Sequence, residues 1–113
     1  PREIEIDEFD PIARHVVVLN ALQQPVATGR LVSDAPGVGR IGRMAVDRGV
    51  RGGRWGRMVL DSLIESARER GDREVVLHAQ RHAEPFYLRA GFKPEGEPYD
   101  EAGIPHITMR RVF

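Results

Sequence analysis

The chain has 113 residues, no internal repeat, and 17 basic and 17 acidic side chains that give a formal net charge of zero. This length suits one domain with a single core. The charge balance disfavours nucleic acid and membrane surfaces as partners, and no apolar run approaches the roughly 20 residues of a membrane span. The absence of cysteine removes disulfides, thiolate metal sites and a cysteine nucleophile. We therefore expect a soluble, cytoplasmic protein with a small or local partner.

The first half of the chain predicts a meander of three antiparallel strands. Runs of β-branched and alternating apolar residues place them at His15–Leu19, Val26–Val32 and Arg40–Val46. The turn at Asn20–Gln24 and the loop at Ser33–Gly39 separate these strands.

A segment of alternating apolar and acidic residues, Arg2–Asp10, precedes the meander and is broken by Pro11. We interpret it as an extended lead-in with one packed face, in preference to a metal or acid-base site.

The second half predicts two helices and three further strands. In chain order these are a helix, a buried central strand, a short helix and two strands, at Arg54–Arg70, Glu74–Leu77, His82–Ala90, Phe92–Glu95 and Ile104–Arg111. Gly71 is expected to end the first helix in the left-handed conformation, and Gly91 to end the second. A polar loop with Pro98 and Gly103 should separate the last two strands. The fold class is therefore α/β, a mixed and mainly antiparallel sheet with the order βββ-α-β-α-ββ.

The glycine-rich stretch Arg51–Arg57 lies where the third strand ends and the long helix begins. A strand, a tight turn and a helix bring free backbone N–H groups and the positive end of the helix dipole together. Such sites bind anions, so the stretch predicts a phosphate cradle.

Two motifs in combination resemble the GNAT superfamily of acyl-CoA-dependent N-acyltransferases. The first is a strand ending in Met44-Ala45-Val46 followed by Arg-Gly-x-x-x-Gly, and the second is Ala83-x-x-Phe86-Tyr87-x-x-x-Gly91-Phe92. Within the superfamily, three segments are similar to the ElaA-like branch: Ile41–Val46, His78–Gln80 and Gly103–Ile107.

The resemblance implies acetyl-CoA as co-substrate, with its pyrophosphate on the cradle and its pantetheine arm along the strand edge. The implied coenzyme-binding residues are Met44, Ala45, Val46, Arg51, Gly52, Gly53, Arg54, Trp55, Gly56, Arg57, Gln80 and Phe86. Trp55 also suits a plain packing role. We expect no metal, and the absence of cysteine removes thiolate ligands.

The implied reaction is direct attack of an amine on the thioester through a tetrahedral oxyanion, which a backbone N–H on the strand can stabilise. Tyr87 matches the tyrosine that protonates the leaving thiolate, and its reference pKa of about 10 keeps it protonated at neutral pH. As a lone helical tyrosine it equally suits a core position. The candidate bases that would deprotonate the amine are His78, His82, His106, Glu84, Glu97, Asp100 and Glu101, or a water chain. His106 is preferred because it lies in the ElaA-like tail.

The chain departs from the superfamily pattern in two ways. Arg54 stands where the cradle usually has glycine, but a residue entering a helix has a negative φ and keeps its N–H available. The usual first strand and two helices are also missing, which predicts an unprotected edge at His15–Leu19 and an uncovered sheet face. We expect that either a segment outside this sequence supplies them or a homodimer covers the gap, and we prefer the first explanation.

The leading functional hypothesis is an acetyl-CoA-dependent N-acetyltransferase acting on a primary amine of a small molecule or a protein. The alternative is an acyl-CoA-binding or interaction module of the same fold without turnover. A nucleic-acid-binding module is disfavoured by the zero net charge and the few aromatic residues.

Overall fold

The computed structural model describes residues 3–10, 13–46 and 54–113, with the backbone alone for 3–10. The strands are β1 (Glu3–Asp10), β2 (Ala13–Leu19), β3 (Pro25–Ala35), β4 (Val38–Val46), β5 (Glu74–Gln80), β6 (Lys93–Glu101) and β7 (Ile104–Val112). The helices are α1 (Trp55–Glu69) and α2 (Glu84–Arg89), and a 3₁₀ turn at Arg81–Ala83 leads into α2. Neither described helix is long and apolar enough to cross a membrane.

The described strands form one seven-stranded sheet with the order β1-β2-β3-β4-β5-β7-β6. Strands β4 and β5 are parallel, whereas the other neighbouring strands are antiparallel. The predicted mixed α/β class is confirmed, and so is the order of the two helices among the last six strands. The central position predicted for β5 is also confirmed, because Val75, Val76 and Leu77 are all buried.

The lead-in to the meander is itself a strand. The expected extended conformation is confirmed, but the expectation of an unprotected edge at His15–Leu19 is wrong. Strand β1 pairs with β2 from Glu3 opposite Leu19 to Asp10 opposite Ala13, while β3 pairs with the other side of β2.

Two of the predicted loops are tight turns. The loop predicted at Ser33–Gly39 is reduced to Pro36–Gly37, and Gly37 adopts a positive φ of 77°. The polar loop predicted between the last two strands is wrong, because β6 continues through Pro98 to Glu101. A register irregularity between Glu95 and Tyr99 accommodates this stretch. Proline is tolerated there because β6 is the last strand in the sheet order, where an N–H can be spared.

Helix α1 packs on one face of the sheet, against β2, β3 and β4. Its buried residues follow helical periodicity: Gly56, Val59, Leu60, Leu63, Ile64, Ser66 and Ala67. Gly71 ends the helix with a φ of 94°, as predicted, and its N–H donates to the Arg68 carbonyl. The Arg70 guanidinium then ties this end to β3 by donating to the Val32 carbonyl at 2.9 Å.

The helix approaches the sheet most closely over Gly29 in β3. A Cβ atom at this position would lie 2.7 Å from Val59 Cγ1, 2.8 Å from Leu63 Cδ1 and 2.8 Å from Met44 Sδ. These distances are shorter than van der Waals contact, so only glycine fits without displacement of its neighbours.

We predict that Gly29→Ala lowers the free energy of unfolding by about 1–3 kcal/mol, the usual cost of overpacking a core. Urea unfolding followed by circular dichroism measures this change. The matched control is Gly42→Ala on the neighbouring strand, where an added Cβ would meet nothing within 4 Å. Equal destabilisation by the two substitutions would contradict the close-approach argument.

Candidate active site

The two parallel strands, β4 and β5, separate near the middle of the sheet, and we call this gap the parting. The pairing of β4 with β5 runs from Val38 opposite Glu74 to Ile41 opposite Leu77. Both strands continue past this point, β4 to Val46 and β5 to Gln80. Among the described strands, none pairs with the facing edges at residues 42–45 of β4 and 78–80 of β5, so a ligand with amide groups can hydrogen-bond there.

A β-bulge in β4 lies next to this parting. Thr28 pairs with Ala45 and Arg30 pairs with Gly42, so two residues of β4 oppose the single Gly29 of β3. The bulge residue Arg43 adopts a φ of 52°, in the left-handed region that few non-glycine residues occupy. The extra residue shifts the alternation of the strand. Consequently, the implied coenzyme residues Met44 and Val46 pack against the core cluster, whereas Ala45 is exposed.

Helix α1 begins near the end of β4, and only the later part of the predicted cradle is described. Arg51, Gly52 and Gly53 lie outside the described residues. Arg54 is exposed, with a φ of −96°, and its carbonyl accepts the first helical hydrogen bond from Met58 N at 2.9 Å. The negative φ predicted for this departure from the family pattern is confirmed, so arginine enters the helix without backbone strain.

The first turn of α1 contacts the end of β4 and helix α2. Gly56 is buried, and a Cβ there would lie 3.2 Å from Val46 Cγ2 and 3.7 Å from Phe86 Cζ. Trp55 is half-buried against the core cluster.

The charged side chain of this turn is already paired. The Arg57 guanidinium binds Asp61 at 2.9 Å, so its side chain is engaged along the helix. No acidic residue lies in this first turn of α1, which leaves the positive end of its dipole uncompensated by side chains there.

The predicted acid Tyr87 lies in α2 on the α1 side of the sheet. It is 9% exposed, and its ring makes edge-to-face contacts with Phe86 at 5.0 Å and Phe92 at 6.0 Å. Burial in this apolar cluster raises the pKa of the Tyr87 phenol above the usual value. The residue therefore remains protonated at neutral and moderately alkaline pH.

On the opposite face of the sheet, which we call the second face, β5, β6 and β7 bring polar aromatic residues together. His78 Nδ1 shares a hydrogen bond of 2.7 Å with the Tyr99 hydroxyl and lies 3.3 Å from Thr108 Oγ1. The Tyr99 ring in turn stacks on His106 at a centroid distance of 6.0 Å. The strand register places His78 opposite Thr108, and Tyr99 opposite His106.

The predicted base His106 has a defined tautomer. It is 7% exposed, and its Nδ1 lies 2.7 Å from the Ile104 carbonyl oxygen. A carbonyl can only accept, so Nδ1 carries the proton, and Nε2 of the neutral ring keeps its lone pair. Glu101 Oε2 lies 3.4 Å from Nε2. A proton taken up at Nε2 would therefore meet a carboxylate.

The other candidate bases are placed differently. Gln80 Oε1 accepts a hydrogen bond from His82 Nε2 at 2.6 Å, and Glu84 is paired with Arg81 at 3.1 Å. Glu97 and Asp100 are exposed on β6. The sequence reasoning included His78, His106 and Glu101, but it missed Tyr99, which connects the two histidines.

Within residues 13–46 and 54–113, no three His, Cys, Asp or Glu side chains are grouped to hold a metal ion. Tyr87, in its apolar cluster, lies on one face of the sheet at the parting. His78 and His106, each with its own hydrogen-bond partner, lie on the other face. This arrangement, an open strand edge with titratable side chains on both faces, is the one expected from the acyltransferase resemblance of the sequence.

The family model of the acetyltransferase (GNAT) domain matches residues 7–113, and the chain belongs to this family. The uncharacterised N-acetyltransferase YjcF of Bacillus subtilis is 34% identical over 113 residues, covering 98% of this chain and 79% of YjcF. Protein ElaA of Escherichia coli is 40% identical over 72 residues, covering 63% of this chain and 47% of ElaA.

Solved structures agree with this assignment. The crystal structure of E. coli ElaA matches with a TM-score of 0.79 at 33% identity, covering 88% of this chain and 68% of that chain. The resemblance to the ElaA-like branch is thus confirmed. A GNAT family acetyltransferase from Elizabethkingia anophelis, solved with acetyl-CoA bound, has the same fold, with a TM-score of 0.81 at 13% identity over 99% of this chain and 98% of that chain.

The buried Tyr87 predicts a specific loss of stability at alkaline pH. Above the unfolded-state pKa of about 10, the unfolded chain loses a proton that the native state retains. The free energy of unfolding should then fall as pH rises, by up to about 1.4 kcal/mol per pH unit. Urea unfolding between about pH 9 and pH 11 should show a shallower fall for Tyr87→Phe than for the wild type. Equal slopes would contradict the burial argument.

Proposed function

We propose that this protein transfers an acetyl group from acetyl-CoA to a primary amine by direct attack on the thioester. The observation that carries the proposal is the parting of β4 from β5 beside the Arg43 bulge, with Tyr87 on one side and His106 on the other. Membership of the GNAT family supports acetyl transfer as the reaction class. The acetyl-CoA in the E. anophelis protein supports the choice of donor.

The donor would lie along the open edge of β4. Its pantetheine amides would hydrogen-bond to the backbone at Met44–Val46, a contact that requires no particular side chain. The pyrophosphate would bind at the start of α1, where the backbone N–H groups of the first turn and the helix dipole favour an anion. A backbone N–H of the bulged strand would stabilise the oxyanion of the tetrahedral intermediate.

Three proton transfers complete the reaction. His106 Nε2 would first accept a proton from the acceptor ammonium group, which frees the amine lone pair for attack, and the Glu101 carboxylate would stabilise the resulting imidazolium. Collapse of the intermediate breaks the carbon–sulfur bond, and the Tyr87 hydroxyl would protonate the leaving thiolate. The acylated nitrogen would then lose its second proton to the Tyr87 phenolate, which restores the phenol, and His106 would release its proton to solvent. The released products are the N-acetylated amine and CoA, with no covalent enzyme intermediate.

We predict that Tyr87→Phe retains coenzyme binding but loses turnover. At about 100 times its dissociation constant, acetyl-CoA should stabilise both proteins by roughly 2.7 kcal/mol, which thermal unfolding measures. Removal of the acid should lower kcat about 100-fold or more, measured as CoA release with a panel of primary amines.

The controls for this experiment are free acetate and desulfo-CoA. Stabilisation by both CoA compounds with no turnover in the wild type would favour the alternative function, a binding module of the same fold. No stabilisation by acetyl-CoA in a folded sample would contradict the proposed donor site.

We predict that His106→Asn lowers kcat/KM about 100-fold near neutral pH. The asparagine amide keeps a donor for the Ile104 carbonyl but removes the lone pair at Nε2. The defect should shrink as pH approaches the amine pKa of about 10, because more of the acceptor is already deprotonated. His82→Asn is the matched control, since the His82 ring is bonded to Gln80 and should be dispensable. A defect of constant size across pH would argue against His106 as the base.

A further inference from the structure

Three arginines surround an open pocket on the second face of the sheet, between β3 and β4. The pocket has a volume of about 120 Å³ and is lined by Arg30, Val32, Arg40, Gly42 and Arg43. The register explains the grouping, because Arg30 pairs with Gly42 and Val32 pairs with Arg40, which directs these positions away from α1. We call this feature the arginine pocket.

Among the described side chains, the charge of the arginine pocket is poorly compensated. Arg40 has a partner in Asp34 at 3.6 Å, and both side chains are well exposed. Arg30 Nε is buried and has no hydrogen-bond partner within residues 13–46 and 54–113. Buried donors are normally satisfied, so an unpaired N–H on an arginine that lines an open pocket indicates a missing acceptor. The chain as a whole is electrically neutral, so this positive charge is a local feature.

The size and shape of the pocket restrict its ligand. A volume of about 120 Å³ corresponds to roughly four waters at about 30 Å³ each, whereas whole-ligand sites span roughly 300–1,000 Å³. The pocket therefore holds a group and not a complete coenzyme. Guanidinium groups bind carboxylate and phosphate in a bidentate geometry. Gly42 leaves its part of the pocket unobstructed, since a Cβ there would meet nothing within 4 Å.

The arginine pocket lies beside the proposed reaction centre. Gly42 is the first residue of β4 beyond its pairing with β5, and Arg43 is the bulge residue. His78 and His106 occupy the same face on the other side of the parting. Since neighbouring strands lie about 5 Å apart, the distance from the pocket to the parting is about one strand spacing.

We propose that the arginine pocket binds an anionic group of the acceptor, so that the acceptor is a primary amine carrying a carboxylate or phosphate about 5 Å from its nitrogen. This inference rests on the proposed function, and it adds the substrate class. The carboxylate or phosphate of the acceptor lies against Arg30 and Arg43, and its amine extends over the parting towards His106.

The test compares amines that share a short chain but differ in charge. γ-Aminobutyrate and n-butylamine form the carboxylate pair, and O-phosphoethanolamine and ethanolamine form the phosphate pair. The wild type should have a KM at least about tenfold lower for the anionic member of one pair, and the pair that responds identifies the anion. Equal KM values within both pairs would overturn the proposal.

Two variants assign the effect to the arginine pocket. Arg30→Gln should raise the KM for the anionic amine about tenfold and leave the neutral amine unaffected, and the exposed Arg43→Gln should raise the ratio of the anionic to the neutral KM about tenfold. Arg68→Gln is the matched control, because Arg68 lies on α1 over the Phe113 ring. Similar losses with both amines, or in all three variants, would count against the pocket.

A direct binding measurement separates this proposal from the proposed function. Titration of ¹⁵N-arginine-labelled protein with acetate or inorganic phosphate should shift the Arg30 Nε–H resonance and leave the Arg68 resonance unchanged. A shift without any acetyl transfer would support the pocket while the proposed function fails. Acetyl transfer without a shift, and without preference for anionic amines, would overturn the pocket while the proposed function stands.

Discussion

The contact of α1 with the sheet over Gly29 is the constraint on which the site depends. Met44, Val59 and Leu63 all meet above this residue, and any side chain there would separate the helix from the strand. The bulge at Arg43 complements the contact, because it turns Met44 towards the helix and leaves the arginine outside. A left-handed residue costs about 1 kcal/mol, whereas an unpaired charge in the core costs several, so the strained backbone is the lesser penalty.

The sheet separates two kinds of proton chemistry. Tyr87 lies among aromatic residues on the α1 side, where burial favours the neutral phenol. The histidines lie on the second face, where hydroxyl and carboxylate neighbours can exchange or stabilise a proton. In the proposed function, the acid must stay protonated and the base must release its proton to solvent, which requires these opposite environments. The parting of β4 from β5 would then bring both environments to one bound ligand.

Local patterns in the sequence predicted the elements that depend on neighbours along the chain. Helix α1 follows from its aliphatic spacing, and its end follows from Gly71. Pairing between distant segments was harder to predict from the sequence, because Glu3–Asp10 is a strand by virtue of its pairing with β2. Because Pro98 favours a loop, the sequence predicted neither the length of β6 nor the position of Tyr99 beside His78. The bulge was also missed, since nothing in the local composition around Arg43 requires a positive φ.

The arginine pocket would influence the amine as well as the anion of a bound acceptor. In water, the carboxylate of an amino acid stabilises its own ammonium group by attraction. Binding that carboxylate to Arg30 and Arg43 would offset the attraction and place positive charge near the nitrogen. Like charges disfavour the protonated form, so the pKa of the bound amine should be lower than in solution. Recognition of the anion and deprotonation by His106 would then act in the same direction, because the group that positions the acceptor also makes its proton easier to remove.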